Sequence, residues 1–533
     1  MRVPDYIVVG AGSAGCAVAC RLVEGGATVS LLEAGPRDTN WRIHVPAALR
    51  PLLNDAAVNW NYTAEPVESA DGRRVSLPRG RVLGGSSSIN GMLYVRGNPA
   101  DFDEWAQRGC RGWSYEEVLP YFKKSENYKQ GNNSEYRGGD GPLKVEDYRT
   151  ILPLTHRFVR AALDAGYEFN PDYNGSRQEG VSYSQMTRRG RFRGSTAQTY
   201  LRAGKGDPKL EIVTDARATR LIFEGRKCVG VSYRRGGSDE EIRALKEVVL
   251  CGGTYNSPHL LQISGVGPAS HLREIGVEVL HDLPGVGGNL ADHWGARIKH
   301  NVRVSELTMN QLSRFPRVVP EVMRFFLFGN GALTFGVTSA MVFCRSREGL
   351  ASPDLQFSFT PATPIDTGQG ALEKDPGFQI TAIPVRAESR GHVMARSSNP
   401  MEDPAITPAY LSDENDIDVV VSGIEKVRSI CKATPLNEIS LGEYAPGPEV
   451  RTRDEIRQFM REKGGTIHHP VGTCKMGEDP AAVVDPQLRV HGIEGLRVAD
   501  ASVMPTLTTG NTNAPAIMIG EKASAMMLED ARG

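Results

Sequence analysis

The sequence is poor in cysteine, in net charge and in long apolar runs, and each shortage excludes a class of protein. It has 533 residues but only 8 cysteines, none spaced as CxxC, and its 11 histidines form no zinc motif. We therefore expect buried free thiols in a reducing compartment and no metal site. The 62 basic and 63 acidic residues give a net charge of -1. Such a chain has no bulk field that would gather nucleic acid or anionic lipid.

Two local features remain to be weighed against this background. The arginine-rich run Arg188–Arg193 is interpreted as a solvated loop or a domain contact, and not as an RNA site. Residues 325–344 carry no charge, which leaves three interpretations: a membrane span, an internal hairpin or cavity lining, and an apolar loop that seeks a surface. The turn signal Gly329-Asn330-Gly331 argues against a span.

The start of the chain predicts where the protein works. The first predicted strand begins within a few residues of Met1, so we expect no signal peptide. We also expect no transmembrane helix. These expectations place the protein in the cytoplasm, with at most peripheral contact with the inner face of the cytoplasmic membrane.

The strongest signal is a glycine loop between two predicted strands. In order come a strand, a Gly-x-Gly-x-x-Gly loop, a helical run and a strand that ends at an acid: Tyr6–Val9, Gly10–Gly15, Cys16–Glu24, Thr28–Leu32 and Glu33. Gly10 permits the tight turn, Gly12 the approach of a pyrophosphate, and Gly15 close packing of helix on strand. The helix start offers free N–H groups to phosphates, and Glu33 can accept hydrogen bonds from a ribose. This order predicts a bound adenine dinucleotide.

A second glycine-rich stretch lies at Leu77–Gly91. A simple nicotinamide-binding fold would not need it, whereas a cofactor with a large second half would. Further on, four short strands are interpreted as an antiparallel meander: Leu210–Val213, Ala218–Phe223, Cys228–Tyr233 and Glu247–Cys251. Leu355–Thr360 alternates apolar and polar residues, which predicts a half-buried strand.

The later part of the chain supplies long helices and returns to nucleotide-domain character. Predicted elements are the helices Asp413–Ala433, Thr452–Glu462 and Pro515–Leu528 and the strand Leu496–Ala499. The last helix follows the capping cluster Asn511–Asn513. We expect an α/β fold, α+β overall, with a Rossmann-like domain interleaved with a substrate domain built on an antiparallel sheet with helices. The predicted dinucleotide domain comprises about 1–40, 75–100, 205–295 and 465–533, and the substrate domain about 41–74, 101–204 and 296–464.

The best catalytic candidate is the histidine of the late His469-Pro470 pair. Pro470 biases His469 toward an extended backbone, and Gly472 allows another group to approach closely. An imidazole with a pKa near 6.5 suits a base at neutral pH. On these residues alone, the favoured interpretation is that His468 and His469 are two loop histidines that serve as structural hydrogen-bonding groups.

Five motifs in order show that the chain resembles the glucose-methanol-choline (GMC) flavin oxidoreductases over essentially its full length. After GAGSAG with Glu33-Ala34-Gly35 come the two family signatures and a third group of motifs: Arg79–Asn90 (RGRVLGGSSSIN), Gly252–Pro268 (GGTYNSPHLLQISGVGP), His469–Gly477 (HPVGTCKMG), Leu496–Pro505 (LRVADASVMP) and Asn511–Glu521 (NTNAPAIMIGE). The resemblance implies FAD as cofactor and oxidation of an alcohol. It is nearest to bacterial dehydrogenases of aliphatic primary alcohols and to choline dehydrogenase-like members.

The resemblance also implies roles for individual residues. His469 matches the active-site base, and Asn513 matches the second active-site position, where it would hold the substrate oxygen while flavin N5 takes the hydride. The residues implied to bind FAD are Gly10, Gly12, Ser13, Ala14, Gly15, Glu33, Ala34, Arg81, Gly84, Gly85, Ser86, Asn90, Gly91, Ala218, Asp500, Ala501 and Asn513.

Two positions depart from patterns found in relatives. Where some relatives carry a histidine bonded covalently to flavin, this chain has Ile89, so we expect FAD to be non-covalent. Where choline-acting relatives place a glutamate, the matching position is Ser339, although Trp60 could still face a cation.

These observations predict an FAD-dependent primary-alcohol dehydrogenase that passes electrons to a quinone or other carrier. The alternatives are an oxidase that uses O2 and releases hydrogen peroxide, a choline dehydrogenase and, more distantly, a lyase on the same fold. We expect no nucleic-acid partner. Which alcohol it takes and its oligomeric state stay open at this point.

Overall fold

The protein, described by a computed structural model over residues 3–130, 134–365 and 371–532, mixes helices and strands. Its α-helices are Ser13–Glu24, Trp41–His44, Leu49–Leu52, Pro99–Gln107, Tyr115–Ser125, Pro153–Asp164, Gly253–Ile263, Ala269–Glu274, Met309–Leu312, Val318–Phe328, Glu414–Lys432, Thr434–Asn437, Arg453–Lys463 and Asn513–Asp530. A π-helical turn at Ala197–Leu201 and several short 3-10 turns complete the helical part.

A five-stranded parallel sheet forms the first layer. Its strand order is Leu210–Val213, Val29–Leu32, Tyr6–Val9, Glu247–Leu250 and Leu496–Val498. The central strand Tyr6–Val9 is a continuous buried apolar run, as expected of a parallel sheet covered by helices. The first and last helices pack together so closely that a Cβ at Gly520 would lie 2.6 Å from the carbonyl oxygen of Ala14. The two ends of the chain therefore build one layer, the one predicted to bind a dinucleotide.

The predicted four-stranded meander is wrong in its membership. The antiparallel meander consists of Ala216–Glu224, Lys227–Arg235 and Ser238–Arg243, while Leu210–Val213 and Glu247–Leu250 belong to the parallel sheet. A short apolar run has the same sequence pattern in a parallel strand and in an antiparallel one. The pattern alone therefore could not assign these strands to the correct sheet.

A larger antiparallel sheet faces the parallel one. Its strands, in order, are Ser440–Ala445, Trp294–Val302, Gly377–Pro384, Leu355–Thr360, Ala340–Cys344 and Gly180–Tyr183, and Gly465–Thr466 pairs with the start of Trp294–Val302. Helix Glu414–Lys432 covers one face of this sheet, where Gly423 meets Leu355 and Ala382. Smaller pairings join Glu126–Asn127, Leu143–Asp147, Gln185–Arg189 and Phe192–Arg193, then Val266–Gly267 with His281–Asp282, His392–Met394 with Ala405–Thr407, and Tyr62–Thr63 with Ser76–Leu77.

Strand Leu355–Thr360 corrects a prediction of burial. All six of its residues are buried, although the alternation predicted a strand with one solvated face. Leu355 faces the covering helix, whereas Gln356, Ser358 and Thr360 line an internal cavity. The alternation of apolar and polar residues therefore distinguishes side chains that face the core from side chains that face the cavity. It does not mark a solvent-exposed face.

The uncharged segment 325–344 is neither a hairpin nor a span, but Val337 and Thr338 within it line the internal cavity, as one of the interpretations expected. It holds the end of helix Val318–Phe328, a 3-10 turn at Ala332–Thr334 and strand Ala340–Cys344. Across the parts of the chain that the structure describes, no helix has both the length and the apolar character needed to cross a bilayer. The confirmed fold class is thus a parallel nucleotide-binding layer against an antiparallel sheet, and the domain boundaries given above stay a prediction.

Candidate active site

One cavity of about 600 Å³ lies where the two large sheets face each other. The carboxyl ends of the parallel strands contribute Val9, Leu32 and Leu250, and the antiparallel sheet contributes alternate residues of its central strands. In an open parallel sheet, ligands bind beyond the carboxyl ends of the strands. The cavity occupies that position and is large enough for a cofactor with a small substrate.

The glycines of the first loop are required by close backbone contacts. Gly10 has a φ of +104°. A Cβ at Gly15 would lie 1.9 Å from the carbonyl oxygen of Gly10, and a Cβ at Gly85 would lie 2.7 Å from the Cα of Gly12. The two glycine loops therefore approach each other through backbone atoms, and neither Gly15 nor Gly85 leaves room for a side chain.

Most residues predicted to hold the cofactor face this cavity. Those that line it are Gly10, Gly12, Ser13, Ala14, Glu33, Ala34, Gly85, Ser86, Asn90, Gly91, Ala218, Asp500, Ala501 and Asn513. Gly15, Gly84 and Arg81 are not among the lining residues. Gly15 packs behind the loop, and the guanidinium of Arg81 donates to the carbonyl of Ala56 at 2.7 Å while lying over the Trp60 ring.

Two buried carboxylates mark the nucleotide side of the cavity. Glu33 accepts the amide protons of Ala11 at 3.0 Å and Gly35 at 2.9 Å, and each oxygen keeps a lone pair for a further donor. Burial raises the pKa of Glu33 to about 7 against the lowering effect of these two amides. Asp500 accepts from the Gly253 amide at 2.8 Å and the Ser257 hydroxyl at 2.6 Å. Both residues hold loop backbone in place at the predicted cofactor site.

The second loop is held from behind by Arg193, which is buried and belongs to the arginine-rich run interpreted above as a solvated loop or a domain contact. Arg193 donates to the carbonyl of Asn90 at 2.7 Å and to its side-chain oxygen at 2.8 Å. The side chain is 1% exposed, and burial lowers its pKa to about 9. Asn90 is thereby fixed at the cavity wall.

Strand pairing brings His469 next to a second histidine. Trp294 pairs with Thr466, and Ala291 pairs with Val471, so His293 and His469 emerge side by side. Their Nδ1 atoms lie 2.9 Å apart. His293 carried no sequence signal beyond being a single histidine after an aspartate, and only the register of this pairing reveals it.

Asp292 holds the backbone of both histidines. One carboxylate oxygen accepts the amide protons of His293 at 2.8 Å and His469 at 2.7 Å. The other accepts the hydroxyls of Tyr410 and Thr466, each at 2.6 Å. Burial raises the pKa of Asp292, and these hydrogen bonds and Arg79 act against that rise. The aspartate thus fixes the position of the histidine pair without contacting either imidazole.

The chain of hydrogen bonds through His293 determines which ring nitrogen of His469 carries no proton. The Nε2 of His293 lies 3.1 Å from the carbonyl oxygen of Val385, and a carbonyl only accepts, so this nitrogen carries the proton. The Nδ1 of His293 is then an acceptor, and the Nδ1 of His469 must donate to it. In neutral His469 the remaining nitrogen, Nε2, is therefore unprotonated.

The Nε2 of His469 faces the amide of Asn511 at 2.9 Å. The side-chain oxygen of Asn513 accepts from the hydroxyl of Ser13 at 2.7 Å, and the substrate contact expected of Asn513 stays a prediction. Helix Asn513–Asp530 begins at Asn513, so its first side chain turns toward the glycine loop, whereas Asn511 lies before the helix and reaches the histidine. Both asparagines line the cavity.

The electrostatic surroundings keep His469 neutral. Burial, His293 and Arg79 lower its pKa well below the ordinary value of 6.5. Burial also lowers the pKa of His293 to about 4 and, together with Arg79 and Arg297, that of His468 to about 3. His468 has a φ of +65°, and its carbonyl accepts from Arg79 at 2.6 Å. A neutral imidazole at the cavity wall, whose Nε2 is unprotonated and accepts from Asn511, can receive a proton once a substrate hydroxyl replaces that amide contact.

Comparison with known proteins establishes the family. The models of the two GMC oxidoreductase domains match residues 4–295 and 387–520. The chain is 41% identical to the alcohol dehydrogenase [acceptor] of Pseudomonas putida, covering 98% of this chain and 95% of that protein. It is 42% identical, with the same coverage, to the oxygen-dependent choline dehydrogenase of Brucella suis. The chain belongs to the GMC oxidoreductase family.

Solved structures agree with this assignment. A formate oxidase of Aspergillus oryzae, studied for FAD modification, is similar with a TM-score of 0.92 and 26% identity, covering 99% of this chain and 98% of that one. The predicted FAD cofactor and the predicted oxidation of CH–OH donors are confirmed at the level of the family. The interlocked glycine loops and the buried acids that line the cavity fit such a dinucleotide.

Proposed function

We propose that this protein oxidises a primary alcohol to an aldehyde and that His469 is the base. The observation that carries the proposal is the unprotonated Nε2 of His469, which lies in the cavity 2.9 Å from an amide donor, the Nδ2 of Asn511. A substrate hydroxyl that replaces this direct hydrogen bond can donate its proton to the imidazole while its oxygen accepts from the amide. Such a pair positions an alcohol and removes its proton in one arrangement.

The chain's own residues perform the proton transfer. The substrate O–H bond breaks as its proton passes to Nε2 of His469, and His293 accepts from the opposite nitrogen throughout. Asn511 stabilises the negative charge that develops on the oxygen. FAD, when bound, supplies the acceptor for the hydride that leaves the carbon. Motif matching gave Asn513 both a substrate contact and a place in the cofactor site, and its bond to Ser13 of the glycine loop supports the second role.

We propose that FAD is held by the lining residues named above and is not bonded to the chain. Ile89 lines the cavity and offers no nucleophile for a covalent bond. The division into an FAD domain and a substrate domain at the predicted boundaries is part of the same proposal. The two glycine loops, Asp500 and the C-terminal helix supply the first, and the antiparallel sheet supplies the second.

The charges around His469 favour an uncharged alcohol over choline. Among the described residues that line the cavity, the carboxylates are Glu33 and Asp500, and both lie on the nucleotide side. Arg79 and Arg297 add positive charge beside the histidines. A quaternary ammonium would therefore meet cations and lack an anionic partner. Ser339 does not decide the question, because its hydroxyl is buried against Thr155 at 2.9 Å.

Electrons are proposed to pass to a quinone or another carrier, in keeping with the acceptor-type name of the Pseudomonas putida relative. We also propose a cytoplasmic protein in peripheral contact with a membrane. The 8 free cysteines, all buried, suit a reducing compartment.

Anaerobic titration of the purified yellow protein tests the substrate class. We expect 1-alkanols or benzyl alcohol to bleach the flavin and choline to do so far more slowly. Failure of every alcohol to bleach it would refute the proposal. Mixing the reduced protein with oxygen or with a soluble quinone then separates the acceptors. Rapid reoxidation by oxygen with stoichiometric hydrogen peroxide would identify an oxidase instead.

A further inference from the structure

An exposed apolar helix stands beside the cavity. Helix Val318–Phe328 has the sequence VVPEVMRFFLF, and only two of its residues, Glu321 and Phe325, are buried. Phe326 is 63% exposed, Leu327 65% and Phe328 72%. A helix that is apolar on nearly every side is normally buried. This one packs through a single stripe of residues four positions apart, which leaves most of its apolar surface in contact with water.

The charges on and around this helix are positive. The segment 314–329 contains Arg314, Arg317 and Arg324 and a single acid, Glu321. That acid is buried, where it pairs with Arg324 at 2.8 Å and accepts the amide proton of Ala332 at 2.7 Å. The surface presented to solvent therefore combines large apolar side chains with guanidinium groups. This combination is the one that enters the headgroup region of an anionic bilayer.

Hydrogen bonds tie the helix to two segments at the mouth of the cavity. Arg314, just before the helix, donates to the carbonyl of Leu372 at 2.9 Å, and Leu372 pairs with Pro364, the neighbour of Ile365. On the other side, Glu321 holds Ala332, five residues before Val337. Ile365 and Val337 both line the cavity and are partly exposed, at 37% and 39%. The apolar helix is thus joined to two segments that each carry a partly exposed residue of the cavity wall.

We propose that helix Val318–Phe328 docks this protein on an anionic phospholipid bilayer, with the cavity mouth facing the lipid. A second copy of the chain suits the surface less well. A two-fold contact through this helix would bring Arg317 and Arg324 toward their own counterparts. An apolar alcohol or a quinone dissolved in the bilayer would enter the cavity without crossing water. The entry of substrate or acceptor from the bilayer rests on the proposed function, whereas the docking itself does not.

Vesicle co-sedimentation of the full-length holoprotein tests the docking. We expect the protein to bind vesicles that contain phosphatidylglycerol and to bind phosphatidylcholine vesicles much more weakly, with the difference reduced at high salt. The triple variant F326Q/L327Q/F328Q should lose at least about tenfold in partitioning, because it removes the apolar side chains that insert. Its melting temperature and FAD content should stay unchanged, since these side chains are exposed and do not line the cavity.

A matched pair of single variants controls for the general effect of replacing an exposed apolar side chain with a polar one. Leu327 and Leu245 are both 65% exposed, but Leu245 precedes the parallel strand Glu247–Leu250 and lies outside the helix. L327Q should weaken vesicle binding, and L245Q should not.

Three results would overturn the proposal: no binding of the native protein to anionic vesicles, equal binding by the triple variant, or a concentration-dependent dimer that the triple variant abolishes. Dye-linked oxidation of a water-soluble alcohol, measured in parallel, separates this outcome from a failure of the proposed function. The triple variant should retain that activity.

Discussion

Replacing His293 with phenylalanine removes the acceptor that fixes the tautomer of His469. The Nδ1 of His293 lies 2.9 Å from the Nδ1 of His469, and its Nε2 lies 3.1 Å from the carbonyl of Val385. In H293F the ring shape is kept, but the Nδ1–H of His469 is left buried without an acceptor. A buried donor of this kind costs about 1–3 kcal/mol.

That cost destabilises only the tautomer of His469 that is protonated on Nδ1, which is the reactive one. In the other tautomer the proton moves to Nε2, where the side-chain oxygen of Asn511 can accept it after the amide turns. In the described part of the chain this oxygen has no hydrogen-bond partner. The reactive form should therefore become about 5- to 150-fold scarcer. Stopped-flow measurement of anaerobic flavin reduction should show a fall of that size in the limiting rate.

His293→Asn is the matched control. Its amide oxygen can take the place of Nδ1 and can only accept, so the tautomer of His469 stays fixed although the bond to Val385 is lost. We expect H293N to reduce flavin much faster than H293F. The reasoning is refuted if H293F keeps the native rate, or if H293N is as slow as H293F while both variants fold and bind FAD.

Further predictions follow from the same contacts. Asn511→Ala should slow flavin reduction by about 10- to 100-fold, because it removes the donor to the charge that develops on the substrate oxygen. Asn513→Ala should mainly weaken the retention of FAD. The reverse result would assign the substrate contact to Asn513. Burial lowers the pKa of His293 and His300 to about 4, so below about pH 6.5 the unfolded chain takes up protons that the folded chain refuses. Each histidine's contribution to the free energy of unfolding should then be largest above that pH and smaller by about 2 kcal/mol at pH 5. Because the raised pKa of Glu33 acts in the opposite direction, the test compares denaturant titrations of the native protein and His300→Phe, and an equal pH dependence in the two would contradict this. Acid precipitation should release all FAD into solution because Ile89 cannot bond it, and flavin that stays with the precipitate would show the opposite.

The local parts of the site could be predicted from the sequence because their signals are local. The glycine loop at Gly10–Gly15 and the acid at Glu33 depend on backbone geometry within one βαβ unit, and the structure brings most of these residues to the cavity. His469 stood out through its own neighbours in the chain.

The partners of His469 could not be predicted, because they are brought to it by tertiary pairing. His293 reaches it only through the register between Trp294–Val302 and Gly465–Thr466. Asn511 differs from Asn513 only in lying before the helix start instead of at it, a boundary that sequence patterns locate to within a few residues at best. The same uncertainty affected helix Val318–Phe328. The uncharged segment 325–344 begins inside this helix, so the charge pattern did not indicate where the helix ends.

The rate of anaerobic flavin reduction by a saturating primary alcohol in His469→Gln isolates the proton transfer from every later step. With His469 as the base, this rate should fall by about 10²–10⁴ relative to the native protein, with FAD still bound. A variant that is reduced within a few-fold of the native rate would show that another group takes the hydroxyl proton.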